Sequence, residues 1–187
     1  MFRTLFLIGA LAFPGLSHAA VVTVEEASTR AGDVNGIVGV EGASTEVSNP
    51  AYSTEVTDPA SDWVWILPTE ELATRSWTWT FDLTGYNPST AAISGRWGTD
   101  NSGRAVLNGT EIATVGDFQS LSDFNHAGSA FVAGSNSLTF EIRNANGPAA
   151  FRAALEVEAA PVPLPAGLPL VLAGLAALGI AGRKRAA

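Results

Sequence analysis

The sequence predicts an all-β fold, an antiparallel β-sandwich or jelly roll, for residues 20–158. Apolar and polar residues alternate with a period of two along several stretches, which is the pattern of strands with one buried face. Turn-forming residues separate these stretches at short intervals, and no helical period of useful length interrupts them. Many short strands at this spacing are typical of two packed antiparallel sheets.

Three stretches carry the clearest strand pattern. Residues 77–83 and 137–143 alternate large apolar with polar side chains, and residues 151–157 place Phe, Ala, Leu and Val on one face. Residues 106–112 predict a β-hairpin, because a central Asn-Gly pair supplies the two positive-φ residues that a type I′ turn requires.

Weaker patterns complete the predicted sheets. Further strands are expected at 21–24, 37–40, 52–56, 63–67, 91–97 and 131–133. Turns are expected between them, among others at 49–50, 58–59 and 98–103.

The charge of the predicted domain is strongly negative. All 18 acidic residues fall between Glu25 and Glu158 but only six arginines do, so this segment carries −12 against −8 for the whole chain. Such a domain would be repelled by nucleic acid, and we expect no nucleic-acid partner. The chain has no cysteine, which excludes thiol catalysis and cysteine-ligated metal sites and leaves stability to the hydrophobic core.

Catalysis is not expected. Once the first 19 residues are set aside, His126 is the only histidine, and no Gly-x-Ser-x-Gly motif is present. The abundance of carboxylates does not indicate glycoside hydrolysis, because some pair among so many will lie close together. We therefore predict that the protein is not an enzyme.

Four motifs follow one another in the second half of the domain: AAISGRW at 91–97, TDNSG at 99–103, VLNG at 106–109 and GSNSLTF at 134–140. In this order they resemble the galactose-binding-like jelly rolls of carbohydrate-binding modules, over residues 76–158. The resemblance implies a jelly-roll fold and an association with polysaccharide. Because these motifs consist mostly of turn and core residues, function has to be argued from a site.

Five tryptophans lie between Trp63 and Trp97 and have two interpretations. Indole rings can stack on sugars, but aromatic side chains also fill cores. Trp77 and Trp79 share a strand face and are expected in the core, whereas Trp63 and Trp65 belong either to a fully buried strand or to one that exposes an aromatic pair. Exposure of Trp63, Trp65 or Trp97 would favour sugar binding, and burial of all five would favour a structural role.

A candidate ligand site lies at the predicted 98–103 loop. Trp97 is expected at the end of a strand beside this loop, where Asp100, Asn101 and Arg104 could hydrogen-bond sugar hydroxyls. The alternative is an Asx-type turn that closes a hairpin.

A second candidate is a structural Ca²⁺ site, because jelly rolls of the family that this domain resembles often bind the ion. Asp33 and Asn35 could supply oxygen ligands, although residues 32–36 lack the ordered acidic spacing and distal Glu of an EF-hand. No other cofactor is predicted.

Residues 1–19 are predicted to be a secretory signal peptide. Arg3 precedes an apolar run at 5–16, and small residues occupy the two positions that signal peptidase reads. Cleavage between Ala19 and Ala20 is expected, with the export machinery and signal peptidase as partners. The alternative is an uncleaved anchor, for which the apolar run is short.

Residues 159–187 are predicted to be a linker followed by a three-part tail. The motif is Val162, Pro163, Leu164, Pro165, Ala166 and Gly167; an apolar transmembrane helix is expected at 164–182; the basic cluster is Arg183, Lys184 and Arg185. This order resembles the VPLPA variant of the PEP-CTERM sorting signals of Gram-negative bacteria, although the Pro-Glu-Pro of that family is absent.

The resemblance of the tail implies that an exosortase-type transpeptidase recognises the motif, cleaves near it and transfers the protein to the cell surface. The basic cluster would stay cytoplasmic and the domain would lie outside, by the positive-inside rule. A permanent single-pass anchor in the membrane is the alternative.

These features predict an exported, non-enzymatic protein that passes through the inner membrane to the cell surface or extracellular matrix of a Gram-negative bacterium. We expect it to bind or associate with exopolysaccharide. The alternative is a structural or adhesive surface protein without a specific ligand.

Overall fold

The computed structural model describes residues 19–67, 72–163 and 175. The described part is an antiparallel β-sandwich of two sheets, which confirms the predicted fold class, and Ala20–Val162 form one compact unit. Its strands are β1 (Val22–Ser28), β2 (Val38–Gly39), β3 (Thr45–Glu46), β4 (Val64–Trp65), β5 (Thr74–Asp82), β6 (Tyr86–Asp100), β7 (Ser102–Leu107), β8 (Thr110–Val115), β9 (Ser122–Ala127), β10 (Ser135–Arg143) and β11 (Ala150–Pro161).

The last two strands lie in the middle of the two sheets. In one sheet, here called the β11 sheet, the order is β3-β4-β11-β6-β9, and β1 also pairs with β11. In the other, the β10 sheet, the order is β2-β5-β10-β7-β8. Each central strand therefore pairs with partners that are distant in sequence.

The core fills the space between the sheets with alternate residues of each strand. On β5, Trp77 and Trp79 are fully buried and the intervening Thr78 is only partly so. The Trp77 ring packs against Trp65 and Phe151, with centroids 5.3 and 5.0 Å apart. Tilted aromatic pairs at such distances stabilise a core beyond the area that they bury.

The predicted hairpin is confirmed between β7 and β8. Asn108 and Gly109 have φ values of +49° and +86°, the positive-φ pair that a type I′ turn requires. The three strongest strand predictions are likewise confirmed as β5, β10 and β11.

Two weak strand predictions are wrong, because residues 52–56 and 131–133 lie in connections. Two strands, β3 and β9, were not predicted from their pattern. β9 is mostly polar, but it pairs with β6 residue by residue, from Ala92 opposite Ala127 to Trp97 opposite Ser122. β9 is a strand because its backbone pairs with β6, and the residues of β9 have no pattern that predicts a strand.

Most of the predicted signal peptide and sorting tail lies outside the described residues. This applies to residues 1–18, to the apolar helix expected at 164–182 apart from Leu175, and to the basic cluster Arg183, Lys184 and Arg185. Within the described ranges, no helix combines the length and the apolar character needed to cross a bilayer.

Candidate functional site

The four residues predicted to form one ligand site are not brought together. Trp97 points into the core, is 1% exposed and packs edge-on against Phe124 with ring centroids 5.3 Å apart. The prediction that Trp97 stacks on a ligand is therefore wrong. The reason is that β6 does not end at Trp97 but continues to Asp100, so the alternation along the strand turns this indole inward.

The polar members of the predicted site lie on opposite sides of the sandwich. On the outer side of the β11 sheet, the Asp100 carboxylate accepts hydrogen bonds from the Tyr52 hydroxyl at 3.3 Å and the Asn101 amide at 2.6 Å. Arg104 is half-exposed on the outer side of the β10 sheet and pairs with two glutamates. The expected 98–103 loop is reduced to Asn101, where the chain passes from one sheet to the other.

The candidate calcium ligands Asp33 and Asn35 are hydrogen-bonded within the protein. The Asp33 carboxylate accepts hydrogen bonds from the Ser44 backbone amide at 3.3 Å, and the Asn35 amide donates to the Ser28 hydroxyl at 2.5 Å. In the part of the chain that the structure describes, no group of three His, Cys, Asp or Glu could hold a metal ion. Ca²⁺ takes roughly six to eight oxygen ligands, so Asp33 and Asn35 by themselves do not complete a site, and calcium binding stays a prediction.

A different site forms where two connections cross the outer side of the β11 sheet. In the β3–β4 connection, the Asn49 side chain accepts a hydrogen bond from the backbone two residues later, and this turn is followed by Tyr52. The Ser53 backbone amide then donates to the Phe118 carbonyl, at 2.7 Å, and so joins this connection to the one between β8 and β9. The two connections enclose a small second core on the outside of the sheet.

Tyr52 and Trp63 form the centre of this second core. Their ring centroids lie 4.9 Å apart with planes inclined by 34°, and Phe118 packs edge-on against Tyr52 at 5.8 Å. Gly98 makes room for the pair, because a Cβ at this position would lie 2.9 Å from both the Trp63 ring and the Leu121 side chain. A larger residue at position 98 would therefore displace the aromatic pair from the sheet.

The aromatic pair lines a cleft with two adjoining parts. One part, of about 200 Å³, is lined by Tyr52, Trp63 and Arg152 among others. The second, of about 310 Å³, extends from Tyr52 to Pro148 and Ala149. We call both parts together the Tyr52 cleft, because they share Glu46, Val47, Ser48 and Tyr52.

The rim of the Tyr52 cleft carries polar side chains with free hydrogen-bonding capacity. Glu46, Ser48 and Thr54 are exposed, and within the described ranges their side chains make no hydrogen bond to the protein. Among the described residues, the Asn49 side chain makes a hydrogen bond through its oxygen alone, in the turn before Tyr52. A few such groups around an apolar surface are what sites for small polar ligands use to orient them.

The hydrogen bond between Tyr52 and Asp100 holds the Tyr52 ring in place. Burial raises the pKa of the Asp100 carboxyl above its ordinary value of 3.8, while the hydrogen bond from Tyr52 opposes this rise. Burial, followed by the charge of Asp100, also raises the pKa of the Tyr52 hydroxyl. The phenol therefore stays protonated at neutral pH and continues to donate to the carboxylate.

Residues 53–61, here called the strap, cover the outer side of β11 next to the cleft. Arg152 is 7% exposed and donates hydrogen bonds to the carbonyls of Ser53 at 3.1 Å and Glu55 at 2.9 Å, and to the Ser61 hydroxyl at 2.9 Å. Burial lowers the pKa of this guanidinium, and the acidic residues nearby oppose the shift. Arg152 thus joins the strap to the sheet.

Sequence reasoning identified only part of this site. Trp63 was a candidate for exposure, but Tyr52 was assigned to a strand because Tyr, Thr and Val at 52–56 favour strands. One feature of the sequence could have indicated this site: the long β3–β4 connection, which has an Asn-Pro turn just before Tyr52. Connections of this length in a compact domain are usually functional or disordered.

No family model and no curated protein matches the chain. Among solved structures, it is similar to a family 36 carbohydrate-binding module in complex with calcium and xylotriose, at 13% identity and a TM-score of 0.41, covering 74% of this chain and 98% of that one. The chain is also similar to a family 36 domain of a multidomain xylanase from the hindgut metagenome of Trinervitermes trinervoides, at 12% identity and a TM-score of 0.41. The match covers 74% of this chain and 100% of that one. A family 35 carbohydrate-binding module from an environmental isolate is similar at 13% identity and a TM-score of 0.39. That match covers 69% of this chain and 98% of the module. A likeness at this level does not extend to a ligand or an activity.

Proposed function

We propose that this protein is a non-catalytic, exported polysaccharide-binding protein and that the Tyr52 cleft holds the sugar. One observation carries the proposal: the Tyr52–Trp63 pair lines a cleft whose rim holds polar side chains that no other described residue engages. Tyr52 and Trp63 are 6% and 7% exposed, so a small part of each ring is open to the apolar side of a sugar, while carboxylate, amide and hydroxyl groups at the rim bind its hydroxyls.

The aromatic pair is held in position before any ligand arrives. The Trp63 indole N–H donates to the Ser53 carbonyl at 2.9 Å, and the Tyr52 hydroxyl donates to Asp100. Because neither ring has to be ordered on binding, the entropic cost of association is lower. Glu46 can accept, and Asn49 can donate, hydrogen bonds at the rim.

A glycan array probed with the full chain, followed by calorimetric titration of the best ligand, tests this proposal. We expect Tyr52→Ala to weaken binding about tenfold, because it removes the ring contact. Tyr52→Phe keeps the ring and should bind within a few-fold of the wild type, roughly within 1 kcal/mol. Near-UV circular dichroism shows whether each variant is folded.

Two outcomes would contradict the proposal. If folded Tyr52→Ala binds the best ligand as tightly as the wild type, the cleft is not the sugar site. If neither neutral nor acidic polysaccharides give a signal with the wild type, sugar binding itself is excluded.

A structural or adhesive role without a specific ligand is the second candidate, and the burial of the tryptophans favours it. All five are at most 7% exposed, so none presents an open indole face to a sugar. Under this alternative, the Tyr52–Trp63 pair serves only to pack two connections onto the sheet, and the array stays blank.

We further propose that the protein reaches the cell surface or matrix of a Gram-negative bacterium through signal peptidase and an exosortase-type transpeptidase. The order of motif, apolar stretch and basic cluster at residues 162–185 supports this route. A permanent single-pass anchor is the alternative, and the mass of the mature protein distinguishes the two.

A further inference from the structure

A second groove crosses the outer side of the β10 sheet, on the opposite side of the sandwich from the Tyr52 cleft. Its volume is about 460 Å³, and its lining comes from the four adjacent strands β5, β10, β7 and β8. Arg143 lies on β10 directly opposite Thr74 of β5 and Ser102 of β7. We call this feature the Arg143 groove.

Arg143 differs from the other arginines of the domain. It is exposed, and in the described ranges its guanidinium has no hydrogen bond and no ion pair. The other five are engaged: Arg30 with Asp62, Arg75 with the Thr74 carbonyl, Arg96 with Glu55, Arg104 with Glu141, and Arg152 with Ser53. In a domain with three times as many acidic as basic residues, one guanidinium therefore remains available to an anion from outside.

A second guanidinium lies close to the first. Arg104 is opposite Glu141 while Arg143 is opposite Ser102, so the two arginines are diagonal neighbours on adjacent strands, about 7–8 Å apart at their Cα atoms. The groove lining thus contains two guanidinium groups and one carboxylate, that of Glu141. Glu111, just outside the lining, also pairs with Arg104, so two carboxylates offset Arg104 and Arg143, and Arg143 is the guanidinium with no ion pair among the described residues.

Hydroxyl groups surround these charges. Thr74, Ser102 and Thr114 line the groove, and their side chains make no hydrogen bond within the part of the chain described. Thr114 lies directly opposite Arg104 on β8. A ligand in the groove therefore meets guanidinium N–H donors and hydroxyls that can both donate and accept.

We propose that the Arg143 groove binds an anionic polysaccharide, with Arg143 and Arg104 holding a carboxylate or sulfate group and the hydroxyls holding sugar hydroxyls. The planar fork of arginine matches the oxygens of such groups and binds them in a bidentate manner. The site is separate from the Tyr52 cleft and does not depend on it. An acidic peptide fits less well, because its side-chain carboxylates would use the arginines and leave Thr74, Ser102 and Thr114 without hydroxyl partners.

Calorimetric titration of the full chain with polygalacturonate, a sulfated galactan, a neutral galactan and polyglutamate tests the inference. We expect binding to one or both anionic polysaccharides, and the ligand bound identifies the anion as carboxylate or sulfate. Arg143→Gln should weaken this binding about tenfold, since a hydrogen bond to a charged group is lost. Arg143→Lys should lose less, because it keeps the charge but not the fork.

Two further variants separate local from overall charge. Glu141→Gln removes the nearer of the two carboxylates that compete for Arg104, so it should tighten binding of the anionic polysaccharide. Arg30→Gln removes the same charge as Arg143→Gln but lies outside the groove, and it should leave the affinity unchanged. All these substitutions are at exposed or partly exposed side chains, and unchanged melting curves confirm folding.

Three results would overturn the inference: equal affinity for the neutral galactan, equal affinity for polyglutamate, or an Arg143→Gln variant that binds like the wild type. A test of neutral glycans at the Tyr52 cleft remains independent, because Arg143→Gln leaves that cleft intact. The experiments can therefore exclude ligand binding at one of the two sites without excluding it at the other.

Discussion

Two carboxylates near the Tyr52 cleft, Asp100 and Glu55, respond to their surroundings in opposite directions. Burial raises the pKa of Asp100, because desolvation disfavours the charged carboxylate. Glu55 is exposed, and the hydrogen bond from the Leu121 backbone amide, with a smaller contribution from Arg96, lowers its pKa. The sequence gives no reason to expect opposite pKa shifts at these two carboxylates. The shifts follow from where each side chain lies in the folded protein.

Asp100→Asn is expected to stabilise the protein at neutral pH. The folded protein keeps a proton on Asp100 to a higher pH than the unfolded chain does. The contribution of this group to stability is therefore fully present below 3.8 and is lost as pH rises through the raised pKa. The neutral amide removes this loss and can still accept the Tyr52 hydrogen bond.

Urea unfolding of wild type and Asp100→Asn at a series of pH values measures the effect. We expect the difference in unfolding free energy to shift in favour of the variant as pH rises from below 3.8 toward neutrality. Parallel stability curves across this range would contradict a raised pKa at Asp100.

At the scale of elements, β11 shows how a connection changes the environment of a strand. The sequence pattern places Phe151 and Ala153 on the core face and Arg152 and Ala154 on the other face. All four are buried, because the strap covers the outer side of this part of β11. The predicted alternation of residues 151–154 between the two faces of β11 is confirmed. The sequence pattern did not indicate that the outer face of β11 would also be buried.

Arg152→Met is expected to lower the free energy of unfolding by about 1–3 kcal/mol, because it leaves buried acceptors of the strap without a donor. Proteolysis should then begin within residues 53–61. Arg104→Met serves as the matched control, since Arg104 makes only exposed ion pairs and should change stability little. Equal, small effects of both substitutions would show that Arg152 does not hold the strap.

The elements that sequence patterns predicted best are those with local causes. The β7–β8 hairpin follows from Asn108 and Gly109 alone, because their positive φ values determine the turn. β9 was not predicted, since its strand conformation depends on pairing with β6. The 98–103 segment was misassigned because Gly98 and Gly103 suggested a loop, whereas both glycines permit close packing against neighbouring side chains.

At the scale of the whole molecule, the chain combines an acidic sandwich with terminal segments of a different character. The sandwich segment carries −12, while the last residues carry three adjacent positive charges. Under the proposed route, the acidity would favour solubility of the sandwich outside the cell, and the basic cluster would stay on the cytoplasmic side.

Intact-mass analysis of protein released from the cell surface tests the proposed route. We expect a mature chain that begins at Ala20 and lacks everything beyond about Gly167, because signal peptidase and an exosortase-type enzyme would remove the two ends. Arg183, Lys184 and Arg185 replaced together by glutamine should impair this processing, whereas a conservative exchange to lysine and arginine should not. A surface protein with a full-length C-terminus would support the permanent anchor instead.

Sequence alone determined the fold class, the hairpin turn and the absence of thiol chemistry, since period-2 alternation, an Asn-Gly pair and a missing residue type are local properties. Sequence alone also carries the hypothesis about the terminal segments. Only the tertiary structure decided which aromatic residues meet: it turned Trp97 into the core and placed Tyr52 against Trp63. It also separated Asp100 from Arg104, which lie on different sheets, and left Arg143 without an ion pair among the described residues. These outcomes depend on strand pairing and on connections that fold back over the sheet, which no single stretch of sequence contains.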